Sequence, residues 1–189
     1  MTRKIKASDL LLFLGAGTLI GATIIAPGVA RIALPILKGY LKRRDEAQNS
    51  VYNLWQLRRN LKYLQKQKLV SLSQKSGETI IKITQEGRER IIKYKFEQMK
   101  IPTPSKWDNK WRIIIYDISS LKKSRRDMFR TKVKALGFLN LQESVYLYPY
   151  PCENEISFLR EYFGVGEEII FVEVSRLEND GPYKKYFGF

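Results

Sequence analysis

Histidine is absent from the 189 residues, and cysteine occurs once, at Cys152. These two absences exclude a zinc site of the usual Cys/His kind, a Ser-His-Asp triad, a Cys-His pair and any disulfide within the chain. One unpaired thiol fits a reducing compartment, and a cytoplasmic location is expected. Cys152 lies between Pro151 and Glu153 and is expected at a helix start in a buried structural role. Acidic residues are also scarce beside basic ones, 19 against 34, so the net charge is +15. The excess is uneven. Residues 1–100 carry 20 basic and 7 acidic groups, net +13, whereas residues 101–189 carry 14 and 12, net +2. The field that attracts a polyanion, whether nucleic acid or an anionic membrane surface, therefore belongs to the first half.

Charge is missing altogether from Leu10 to Ala30, 21 residues preceded by Arg3, Lys4 and Lys6. Length alone makes this a transmembrane candidate, and Gly17-x-x-x-Gly21 is a close-packing pattern of membrane helices. Gly28-Val29-Ala30 faintly resembles a signal cleavage site. Gly15, Gly17, Gly21 and Pro27-Gly28 interrupt the run, which favours a buried or peripheral helix of a small domain. Under the membrane reading, Arg31, Lys38, Lys42, Arg43 and Arg44 downstream would keep the C-terminal bulk in the cytoplasm.

Gly28 to Leu41 reads as a second helix with Lys42 to Glu46 as its polar exit. Residues 1–46 then form the apolar N-terminal helices, and 47–99 the core of the first domain. In that core, Leu54, Leu57, Leu61 and Leu64 make an apolar stripe at three- and four-residue spacing, with Arg58, Arg59, Lys62 and Lys66 beside it. Two short strands follow, Leu69–Leu72 and Thr79–Thr84, joined by a turn with Gln74-Lys75-Ser76-Gly77 at its tip. A hairpin after a helix is the order of a winged helix-turn-helix. In that reading the 54–68 helix enters the major groove of double-stranded DNA, while Lys75 and Lys82 reach backbone phosphates. Thr84 caps a further helix running to about Met99, and the two prolines of 100–106 make a semi-rigid linker.

Residues 107–180 alternate differently. Arg112 to Ile118 is a β-branched and aromatic run, too short for a helix. A basic helical segment, Leu121 to Gly137, has Gly137 where a C-terminal glycine belongs. Phe138 to Tyr148 is strand-like with a break near Glu143, Glu153 to Phe163 helical, and Glu167 to Ser175 a strand. That order fits a ferredoxin-like (split βαβ) domain, making the whole chain α+β. The 181–189 tail carries scattered aromatics and is a candidate for packing on a partner subunit.

Three stretches, W-D-N-K-W-R-I-I-I-Y-D-I from Trp107, the Leu136-Gly137-Phe138 triplet, and L-Q-E-S-V-Y-L-Y-P-Y-P-C ending at Cys152, resemble the central domain of PaaX-like repressors. That domain is similar in turn to the small ferredoxin-like CRISPR adaptation endonuclease. The resemblance spans roughly residues 105 to 180. It implies a dimerising ferredoxin-like domain fused to a DNA-binding head, hence a repressor-type regulator acting as a homodimer. The relatives sense an acyl-CoA; this chain is shorter and is read as lacking their C-terminal region, which leaves the effector unspecified. The competing implication is a metal-dependent endonuclease or integration-complex subunit, and a third reading is a membrane-tethered DNA-binding protein. Under the nuclease reading Asp117, opposed by its copy in a second subunit, would hold Mg²⁺; otherwise no cofactor is expected. The favoured reading of Asp117 is a cap of the next turn through the N–H of Ser119 or Ser120. Tyr146 and Tyr148 share one strand face, opposite Val145 and Leu147, and are the expected dimer contacts.

Overall fold

The computed structural model describes residues 6–18, 24–26, 54–75 and 78–189. The chain divides into two compact units, Met1–Glu97 and Gln98–Phe189.

The first unit is built on an apolar cluster. Helix α1 (Ala7–Thr18) buries Leu10, Leu11, Leu12, Phe13 and Leu14 against Leu57, Leu61 and Leu64 of α2 (Leu54–Lys66), with Leu69, Val70, Ile81 and Ile91 closing the cluster. The 10–30 segment is thus not one continuous helix. Its described residues are the last nine of α1, a helix of 12 residues that begins at Ala7, and strand β1 (Ile24–Ala26). A spanning helix needs about 20 continuous residues; here the apolar side chains of α1 are consumed by the core of the unit. Among the described residues no helix is long and apolar enough to cross a membrane. The second helix expected at 28–41 lies outside the described residues.

Strands β2 (Val70–Lys75) and β3 (Glu78–Ile83) form an antiparallel hairpin, and β1 pairs antiparallel with β3, giving the order β1-β3-β2. The turn out of α2 uses Lys68 in the left-handed region (φ 58°), while the Leu69 amide donates to the Leu64 carbonyl at 2.9 Å. Thr84 ties this turn to helix α3 (Gln85–Gln98). Its hydroxyl donates to the Lys68 carbonyl at 2.6 Å and accepts from the Gly87 amide at 3.0 Å. The approach is tight enough that a Cβ at Gly87 would overlap the carbonyl oxygen of Leu69.

The second unit contains β4 (Trp111–Tyr116), a 3₁₀ turn (Ser120–Lys122), α4 (Lys123–Ala135), β5 (Leu139–Gln142), β6 (Val145–Tyr148), α5 (Glu153–Phe163), β7 (Ile169–Val174) and α6 (Gly181–Phe187). Its sheet is antiparallel with order β5-β6-β4-β7. Strand-helix-strand-strand-helix-strand with the first strand between the third and fourth is the ferredoxin-like arrangement. Two glycines do the work expected of them at helix ends, Gly137 at φ 93° and Gly164 at φ 60°. Phe129 and Val133 of α4 and Ile156, Leu159 and Phe163 of α5 are buried.

The tail forms a helix of its own, α6. Helix α6 packs on its own unit: Tyr183 and Phe187 lie 6.4 and 5.9 Å from Trp111, and Phe189 stacks on Trp107 at 4.6 Å.

Candidate nucleic-acid interface

An amphipathic helix on a small core must turn one face inward, and α2 does so with Leu57, Asn60, Leu61 and Leu64. Arg58, Arg59, Lys62 and Lys66 consequently stand exposed along the other face, with Tyr63 half exposed between them. Lys82 is exposed on β3, where its Cα partner is Ser71. Lys75 ends β2; its side chain, and residues 76–77 at the hairpin tip, lie outside the described residues. The four basic side chains of α2 are therefore presented on one helix, and Lys82 on the strand pair that follows it.

Asp117 does not make the cap expected of it. Its backbone N–H donates to the Glu168 carbonyl at 2.9 Å just past β4, and its side chain is exposed. The cap of the turn into α4 is Ser119, whose hydroxyl accepts from the Leu121 amide at 3.3 Å. Among the described residues no three His, Cys, Asp or Glu side chains gather in a way that could hold a metal ion.

Tyr146 and Tyr148 are buried inside the subunit. Tyr146 stacks on Tyr116 at 6.1 Å, Tyr116 meets Phe129 of α4 edge-on at 5.4 Å, and Tyr148 stacks on Phe138 at 4.5 Å. The tyrosine face of the sheet is the one its helices cover. Burial, the larger cause, holds the Tyr116 and Tyr148 hydroxyls above their ordinary pKa. The opposite face carries Leu147 fully buried, Ile113, Val145 and Val172 half buried, and Ile115 and Ile170, register partners, 39% and 56% exposed.

The residues of the Trp107–Arg112 motif are structural. Arg112, 3% exposed, reaches Asp108 at 2.5 Å and 2.7 Å, Glu173 at 2.9 Å and the Pro149 carbonyl at 3.0 Å. Lys110 shares Glu173 at 2.6 Å, and the Trp111 indole donates to Asp180 at 3.2 Å. Hydrogen bonding by Arg112 holds the Asp108 carboxyl below its ordinary pKa, and bonding by Lys110, ahead of the Arg112 charge, does so for Glu173. Cys152 is buried, and burial pushes its thiol up to about 12, so it is protonated at neutral pH and unsuited to nucleophilic work.

Fold and surface thus define a two-unit α+β protein with a basic helix on its first unit and a ferredoxin-like second unit. Residues 104–185 match the family model described as the PaaX protein central Cas2-like domain, so the second unit is similar to that domain. Among curated proteins none matches the chain.

Proposed function

We propose that the protein is a DNA-binding transcriptional regulator of the repressor type. In this reading the first unit is a winged helix-turn-helix, with α2 the helix that enters the major groove and the β2–β3 hairpin the wing. The exposed row Arg58, Arg59, Lys62 and Lys66 on α2 carries the reading. The sheet order β1-β3-β2, with the hairpin directly after that helix, supports it, as does the match of the second unit to the PaaX central-domain model. Duplex binding should weaken steeply with salt, because each neutralised phosphate releases counterions. Arg58→Ala/Lys62→Ala is expected to weaken binding of a random duplex at least about tenfold and to lower the slope of log affinity against log salt by about two. Fluorescence anisotropy across a salt series measures both, and an unchanged slope and affinity would sink the reading.

Two heads recognising a two-fold site require a dimer. We assign the pairing to the aliphatic sheet face around Ile115 and Ile170, since the tyrosine face is already covered. Ile170→Asp should convert a dimer into a monomer in sedimentation velocity. A wild type that sediments as a monomer, or a variant that stays dimeric, removes this assignment.

A further inference from the structure

We propose that α4 is a second duplex-binding surface, carried by the ferredoxin-like unit itself. Residues 120–135 contain seven basic residues and one acidic, Asp127, whereas the remainder of 98–189 contains eight basic and eleven acidic. The small net charge of this unit therefore conceals a strong polarity, +6 on one helix and its lead-in turn and −3 elsewhere. Helix stability does not ask for this arrangement. Lys123, Arg125 and Arg126 stand in the first turn, at the end of the helix dipole that disfavours cations. Lys122, Arg126, Arg130 and Lys134 follow one another at four-residue spacing, where like charges repel.

Contacts within the unit use only part of the set. Lys122 pairs with Glu168 at 2.9 Å, one Arg125 nitrogen reaches the Phe163 carbonyl at 3.2 Å, and Arg126 stands 3.9 Å from Asp127. Arg130 lies within electrostatic reach of the Tyr116 and Tyr146 hydroxyls. Lys123 and Lys134 are exposed and form no ion pair among the described residues. A helix of this length extends about 20 Å, and duplex DNA carries one phosphate charge per roughly 1.7 Å of axis. The basic surface therefore spans several phosphates. A lipid surface fits less well. The exposed apolar side chains are Leu121 and Met128, seven residues apart with Ser124 and Arg125 between them, and an interfacial helix needs a continuous apolar face.

The inference stands independently of α2. The test uses the full chain, a fluorescent random duplex long enough for two contacts, and a salt series. Lys123→Ala/Lys134→Ala is expected to lower the salt slope by about two and the affinity several-fold. Lys106→Ala/Lys185→Ala, which removes the same charge from exposed sites elsewhere in the unit, should leave both near wild type. Matching thermal melts exclude misfolding. If the α4 variant binds like wild type while Arg58→Ala/Lys62→Ala does not, the inference falls and the reading of α2 survives. The reverse pattern upholds α4 and removes α2. Equal weakening by the control pair reduces the effect to net charge and overturns the proposal. So does binding to anionic vesicles that the α4 variant loses while keeping its duplex affinity. No duplex binding by the wild type sinks both.

Discussion

Alanine at Phe129 should cost the C-terminal unit about 3–5 kcal/mol of unfolding free energy. The ring is fully buried on the inner face of α4, meeting Tyr116 of the sheet edge-on at 5.4 Å and Phe163 of α5 at 6.3 Å. It thus joins a strand and two helices at one point. Truncation removes the transfer energy of the ring and leaves a cavity between aromatic walls that relax little. Two edge-to-face contacts add about 0.5–1.5 kcal/mol each beyond area. Met128, the preceding residue and about half exposed, is the internal comparison, because its replacement by alanine should stay within about 0.5 kcal/mol. Urea titration in a Trp55→Phe background, where Trp107 and Trp111 of this unit are the remaining reporters, avoids treating two units as one transition. A loss at Phe129 below about 1.5 kcal/mol would mean that α4 is not packed on the sheet as described.

Replacing Arg112 with methionine should cost about 2–4 kcal/mol at neutral pH, and lysine should recover little of it. Removing the guanidinium leaves the Pro149 carbonyl without this donor and turns Asp108 and Glu173 into neighbouring like charges. Both carboxylates keep contact with water, which places the figure below that for a fully buried pair. Lysine offers a point charge where the site is built for a fork. The pH dependence follows from the depressed carboxyl pKa values. Their contribution is present above the ordinary values of 3.8 and 4.5 and is lost as pH falls through the lower values of the folded state. Wild type should therefore lose stability faster than Arg112→Met below about pH 4, and the gap between their urea midpoints should narrow. A constant gap from pH 7 to pH 3 would contradict this account.

Much of the second unit was legible because its signals are local. Gly137 and Gly164 mark helix ends through their backbone freedom, and the β-branched run at Arg112–Tyr116 is too short to be anything but a strand. What failed was whatever depends on neighbours distant in sequence. Alternation shows that Tyr146 and Tyr148 share a face, but only the docking of α4 and α5 decides which face is covered. The apolar run at 10–30 looks uniform in composition, yet it divides into α1 and β1 because β3 offers β1 a pairing edge. Helix α6 went unread because seven residues beginning Gly-Pro carry almost no periodicity; its placement comes from Trp107 and Trp111. The polarity of α4 vanished in a half-chain sum. On the first unit, the leucine stripe of α2 was plain, and the basic face followed from it.

The pairing of Trp111 with Val174 also has a mechanical meaning. The linker enters β4 and the C-terminal segment leaves β7 at the same end of two antiparallel neighbours. Tension applied between the head and the last residue would therefore peel β7 from β4 one pair at a time, rather than shear the ladder as a whole. The Trp107–Phe189 stack and the bonds of Arg112 and Lys110 to Glu173 lie at that end. They set the force at which the unit begins to open, and beyond them each successive rung yields separately.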